Sequence, residues 1–198
     1  LRHFNGSKTD YKVTETVDAS SAEIDQLRYI VECFSAEMST RRAIISMGDV
    51  MKDDFDTEGC LKKTLDIPCT RELHFIKQPN SNKLDVIVKM RSNDIIWGAS
   101  AVNIFNYTFI QEYMAAILGL EVGNYYHFAD NFHYYHRHKE MAEQLSEIKD
   151  VIDEPYTYDK TFRSLEDFDN LVKELCSEER KMRLDKCYSY REISDPFF

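Results

Sequence analysis

Residues 71–91, "RELHFIKQPNSNKLDVIVKMR", constrain the fold most, because two alternating stretches flank a turn-rich tetrad. Leu84, Val86, Val88 and Met90 recur at every second position, while Asp85, Lys89 and Arg91 fall between them together with Ile87. A period of two puts one set on a buried face and the other on the opposite face of a strand. Pro79-Asn80-Ser81-Asn82 has the residue types that close a turn. The pattern predicts two antiparallel strands over 71–78 and 83–91.

Helical spacing appears on either side of this pair. Ile24, Leu27, Ile30, Val31 and Phe34 predict an amphipathic helix within 20–38, capped by Ser20 or Ser21. "RRAIISM" (41–47) reads as a short buried strand and 49–63 as a polar loop. Residues 101–118 are apolar almost all round, which predicts a helix buried on most sides and stopped by Gly119. "NYYHFADNFHYYHRH" (124–138) reads as a further strand, and 137–150 and 165–184 as helices with charged outer faces. Mixed elements with a neighbouring strand pair predict an α+β fold rather than a wound parallel sheet. The 198 residues are expected to form one domain, with the helices of about 137–184 as a solvated cover.

Charge and cysteine usage narrow the function class. A net charge of −10 lacks the basic footprint of a duplex nucleic-acid binder, so any anionic ligand needs a local arginine cluster. No apolar run approaches the length of a membrane span, and "LRHFNGSKTD" has no signal-peptide core. The five cysteines are scattered, odd in number and without a CxxC pair, which favours reduced thiols in the cytoplasm over disulfides or a zinc site.

Several residues are candidates for chemistry. Cys69 follows Pro68 at the mouth of the first strand; such a cysteine is commonly a small core residue, but a nearby cation would make it a nucleophile. Arg91, at the far end of the partner strand, comes to the same edge as Cys69. Arg91-Ser92 offers a guanidinium fork and a hydroxyl to a phosphate, as do Arg41 and Arg42 unless they serve solubility alone. Asn103 is either a plain helix-start residue or a carboxamide that reads a base edge. His133, His136 and His138 have no companion cysteine, which argues against a metal. His133 and Tyr135, two residues apart, could hold a sugar hydroxyl.

In order and spacing, "DQLRYIVE", "STRRAIISM", "IPCTRELHF", "KLDVIVKMRSNDIIWG", "NIFNYTFIQEYMAAILGLEVGNYYH" and "HYYHRH" resemble the thymidylate synthase and pyrimidine nucleotide hydroxymethylase superfamily, over roughly residues 24–138. The resemblance implies a mixed sheet packed on helices, with the sheet forming a homodimer interface. It implies that the Cys69 thiolate attacks C6 of a pyrimidine whose C5 then takes the one-carbon unit of 5,10-methylenetetrahydrofolate. Arg91 and Ser92 match the pair that binds the nucleotide phosphate, and Arg41 and Arg42 match the arginines that reach into the neighbouring subunit's site. Asn103 matches the residue that reads O4 and N3–H of uracil, His133 and Tyr135 the pair on the 3′-hydroxyl, and Asp94 the aspartate facing the folate ring.

The chain also departs from the pattern. The family's N-terminal part, with its catalytic glutamate, has no match, and its closing tail is unrecognisable in "YREISDPFF". Thr70 stands where His is usual, His74 where Gln is usual and Asn131 where Asp is usual, and one extra residue separates Gly98 from Asn103. Three functions follow. Hydride transfer would give dTMP from dUMP, and this reading leads. Water would give a hydroxymethyl nucleotide from dUMP, dCMP or CMP; the "MRSND" run resembles phage deoxycytidylate hydroxymethylases, but those read the base with Asp, so Asn103 favours uracil. A non-catalytic nucleotide-binding scaffold is the third.

Overall fold

The computed structural model describes residues 25–64, 67–149 and 159–185, together with 187, 189, 195 and 197. The alternating stretches form β2 (Thr70–Lys77) and β3 (Lys83–Met90), paired antiparallel as their pattern requires. Asn80 takes the left-handed conformation at φ 57°, which asparagine tolerates, and the Gln78 N–H donates to the Lys83 carbonyl across the turn. Leu84, Val86, Val88 and Met90 are buried, as their spacing demands.

β1 (Ile44–Ser46) pairs antiparallel with β2. It begins only at Ile44, so Arg41 and Arg42 lie before the strand. It alternates, with Ile45 buried and Ile44 exposed, rather than being buried throughout. α1 (Gln26–Ala36) is capped by Asp25, whose carboxylate accepts from the Leu27 and Arg28 N–H groups. The expected caps, Ser20 and Ser21, lie outside the described residues. The polar loop contains a π-helical turn, Val50–Asp54, and a bridge between Phe55 and Leu61.

β4 (Asn93–Asp94) is followed by a π-helix, Ile95–Val102, and by α2 (Asn103–Leu118). Gly119 ends α2 at φ 66°, where a side chain would be strained. α2 is less enclosed than its composition suggests. Tyr107, Ile110, Gln111, Tyr113, Met114 and Ala115 are buried, whereas Ile104 and Phe105 are exposed. The chain then returns as β5 (Glu121–Ala129), parallel to β3, which completes the sheet order β1-β2-β3-β5. The predicted strand over 124–138 is thus three elements: β5, the short β6 (Phe132–His133) paired with β4, and a 3₁₀ turn His136–His138. Asp130-Asn131 redirects the chain between them, because β6 must pair with β4 rather than prolong β5.

Two irregularities shape the sheet. A bulge between Thr70 and Glu72 breaks the alternation of β2, so Thr70 and Leu73 are both buried. A second lies where β5 passes Asp85; a Cβ on Gly123 would come within 2.3 Å of Asp85 Oδ1. Buried Gln111 donates to the Leu84 and Asn124 carbonyls beside that bulge, which satisfies groups the irregular ladder leaves open.

One face of the sheet packs on α1 and α2 in a single cluster that includes Phe34, Leu73, Phe75, Val86 and Met114. α3 (Lys139–Ser146) has no buried residue and fits the expected solvated cover. α4 (Leu165–Leu184) does not, because Phe168 stacks on Tyr113 at 4.3 Å between ring centroids and joins Phe162 in the core. No helix among the described residues is long and apolar enough to cross a membrane.

Candidate active site

The parallel strands β3 and β5 end on the same side of the sheet, and β2 begins there. The segments that leave or enter these ends enclose a cavity of about 820 Å³, within the size range of small-molecule sites. Cys69, Arg91, Ser92, Asp94, Asn103, His133 and Tyr135 all line it. Residues spread over 67 positions of sequence are therefore brought together. Arg41 and Arg42 are exposed and do not line it.

Cys69 is half-buried immediately before the β2 bulge, with Sγ 3.9 Å from the Ile67 carbonyl. Its carbonyl accepts from the Arg91 N–H at 2.9 Å, which makes the two residues cross-strand neighbours as expected. The Arg91 guanidinium is turned toward the segment before the thiol: Nε donates to the Pro68 carbonyl and Nη2 to the Ile67 carbonyl. Nη1 has no partner among the described residues. Behind Cys69, the hydroxyls of Thr70 and Tyr107 are hydrogen-bonded, and burial pushes the Tyr107 phenol up, so it stays protonated.

On the β6 side, His133 Nδ1 lies 3.0 Å from Asn131 Oδ1 and 3.4 Å from Ser92 Oγ. An amide oxygen only accepts, so the hydrogen belongs on Nδ1 and Nε2 is left to accept from a hydroxyl. The ring meets Tyr135 edge-on at 5.4 Å. The cavity also contains Asn93, Trp97 and Arg137, which the sequence reading did not single out, together with Gly98 and with His138, weighed there only as a metal ligand. Arg137 sits 5.0 Å over the Tyr135 ring, a cation–π contact that adds a second guanidinium to the wall. Arg137 falls in both the strand predicted over 124–138 and the helix predicted over 137–150, and neither pattern marks it as a cavity residue.

The extra residue before Asn103 is accommodated by the π-helix Ile95–Val102, in which the Asn103 N–H donates to the Gly98 carbonyl five residues back. A π-turn holds one more residue than an α-turn, so the additional residue is absorbed and Asn103 still reaches the cavity. Gly98 is required there: a Cβ would lie 2.0 Å from Asn93 Oδ1 and 2.9 Å from Asn103 Nδ2. Asp94 caps this helix, with Oδ1 accepting from the Trp97 N–H at 2.5 Å. Its Oδ2 is buried without a hydrogen-bond partner among the described residues. Trp97 is 72% exposed at the cavity mouth.

The sequence profile of the family described as Thymidylate synthase matches residues 1–170. The chain belongs to the thymidylate synthase family. Within that family it is similar to the deoxyuridylate hydroxymethyltransferases of Bacillus phage SP01 (37% identical over 57% of this chain and 27% of the relative) and Pseudomonas phage M6 (31% over 69% and 36%). It is also similar to the thymidylate synthase of Streptococcus gordonii, at 31% identity over 61% of this chain and 41% of the relative. The chain thus spans between 27% and 41% of the length of these curated relatives. The thermostable thymidylate synthase A from Bacillus subtilis shares the fold, with a TM-score of 0.53 and 24% identity over 66% of this chain and 43% of that one.

Proposed function

We propose that the protein transfers a one-carbon unit to C5 of a uridine nucleotide, dUMP, with Cys69 as the nucleophile. The observation that carries this reading is one cavity lined by Cys69, Arg91, Ser92, Asn103, His133 and Tyr135. Cys69 Sγ adds to C6 of the pyrimidine, which loads electron density onto C5. Arg91 and Ser92 hold the phosphate, His133 Nε2 and Tyr135 hold the 3′-hydroxyl, and Asn103 meets O4 and N3–H. These anchors fix C6 over the thiol, so that orientation rather than chance collision supplies much of the rate. 5,10-Methylenetetrahydrofolate would supply the one-carbon unit. Two features fit a folate ring: the unpartnered Asp94 Oδ2, which suits a ring N–H donor, and the exposed indole of Trp97 at the mouth.

Sequence reading alone puts the methyl product first. The similarity to deoxyuridylate hydroxymethyltransferases turns the preference toward water as the nucleophile that adds to the methylene on C5, with tetrahydrofolate as the leaving group. Mass analysis of the product from dUMP and methylenetetrahydrofolate decides it. A hydroxymethyl nucleotide with tetrahydrofolate left over is the expected result; dTMP with dihydrofolate would establish the synthase reaction, and unchanged dUMP would sink the proposal.

The reading also includes a cytoplasmic homodimer with shared sites. The sheet face away from the helices leaves Ile44, Tyr126 and Phe128 exposed, and His74 Nε2 on that face is buried without a partner among the described residues. A second copy covering this face would let Arg41 and Arg42 reach the neighbour's phosphate. A double Arg41→Ala, Arg42→Ala variant mixed with Cys69→Ala protein should regain activity, because one of the two sites in each mixed dimer is intact. Mixtures no more active than the separate variants would reject shared sites.

A further inference from the structure

A chain of polar side chains runs from the cavity into the fold behind it. Asn103 Nδ2 donates to Asn93 Oδ1 at 2.9 Å, Asn93 Nδ2 lies 2.8 Å from His127 Nε2, and His127 Nδ1 lies 2.6 Å from the Tyr125 hydroxyl. Asn93 and Asn103 line the cavity, whereas His127 and Tyr125 do not. The proton pattern follows. Asn93 Nδ2 can only donate, so His127 Nε2 accepts, its hydrogen sits on Nδ1, and Nδ1–H donates to Tyr125. Burial holds the His127 pKa below the ordinary imidazole range, which keeps the ring neutral near neutral pH.

Every link in this chain can be reversed, but only together. If Tyr125 donated to His127 Nδ1, Nε2–H would donate to a flipped Asn93, and Asn93 would donate to a flipped Asn103. In the direction the structure shows, Asn103 Oδ1 has no partner among the described residues and is free for a ligand donor. Its remaining Nδ2 hydrogen meets only the Met90 sulfur at 3.8 Å, a contact easily given up to a carbonyl. An acceptor beside a donor complements N3–H and O4 of uracil. The reversed chain would complement N3 and N4–H of cytosine.

We propose that Asn93, His127 and Tyr125 are positioning residues that set the amide direction of Asn103, and through it the choice of uracil over cytosine. This rests on the nucleotide reading of the site. The base is then selected by the direction of a whole hydrogen-bond chain, with its far end at the Tyr125 hydroxyl, rather than by Asn103 alone.

The test is the ratio of Kd values for dUMP and dCMP, measured by calorimetry on the folded protein and three variants. Wild type should prefer dUMP. His127→Leu leaves Asn93 free to flip, and the preference should fall by about tenfold, the equivalent of one hydrogen-bond mismatch. Tyr125→Phe removes only the hydroxyl. It orphans the Nδ1–H of the uracil arrangement, and a buried N–H without a partner is tolerated less well than a bare acceptor, so the ratio should again move toward dCMP. Asn93→Asp provides an acceptor on both sides, which forces Asn103 to keep its nitrogen inward, and should preserve the dUMP preference. A purely structural role would weaken both ligands alike in all three variants. Should His127→Leu fail to fold, Tyr125→Phe and Asn93→Asp still decide the question. Ratios in Tyr125→Phe within about twofold of wild type would overturn the relay while leaving the nucleotide site standing, and so would a wild type without preference. A wild type that binds neither nucleotide would remove the site reading and the relay with it.

Discussion

Replacing Cys69 by alanine should lower kcat by at least about four orders of magnitude, the scale seen when a covalent nucleophile is removed. The side chain is small and half-buried, so stability should shift by no more than about 1 kcal/mol. 5-Fluoro-dUMP makes the test direct. Its fluorine blocks the loss of the C5 proton that normally releases the enzyme, so in the presence of the folate the nucleotide should remain attached to Cys69. Intact-protein mass should show the adduct in wild type and lose it in Cys69→Ala. Cys60, Cys176 and Cys187 are exposed, and Cys33 packs against the core away from the cavity; alanine at any of them should leave the adduct unchanged. An adduct that persists in Cys69→Ala would move the nucleophile elsewhere.

Arg91→Ala should weaken dUMP binding by about 3–4 kcal/mol, roughly two to three orders of magnitude in Kd, because charge-assisted bonds to a phosphate are lost. The guanidinium has a second duty, since Nε and Nη2 tie the Pro68 and Ile67 carbonyls that lead into Cys69. Both duties predict losses, in KM and in kcat, and uridine separates them. It has no phosphate, so its affinity should change little if Arg91 serves mainly as the anion anchor. An equal loss for uridine and dUMP would make Arg91 a clamp on the Cys69 segment. Arg91→Lys should recover only part of the affinity, because an ammonium cannot present a planar fork to two carbonyls and a phosphate at once.

Much of this site was readable along the chain because its signals are local. The alternation through Leu84, Val86, Val88 and Met90 defined β3, and the tetrad at 79–82 defined the turn, so the antiparallel pairing carried Cys69 to Arg91 without any further fact. Gly119 ended α2 for a reason internal to the backbone. The aromatic stretch at 124–138 reads as one strand and folds as three elements, because propensity does not say which neighbour a strand will find. Its first part pairs with β3, and its last residues pair with β4. The charged surface of α4 hid its role in the same way. Phe168 acquires its importance from Tyr113, about 55 positions away, with Phe162 packed on Phe168 in turn, and a window that scans one helix cannot weigh those contacts.

Residue types and spacing by themselves determined the family resemblance, the strand pair and most of the residues that gather around the cavity. Tertiary structure decided the rest, because it turns on which unlike segments become neighbours. A π-turn absorbs the extra residue before Asn103, and only the bond back to Gly98 reveals that the side chain still faces the cavity. Asn93 and His127 are 34 positions apart and carry no motif between them, yet they join at 2.8 Å because β3 and β5 run parallel and end together. An amide is chemically symmetric enough to point either way; its direction exists only once a partner is placed against it.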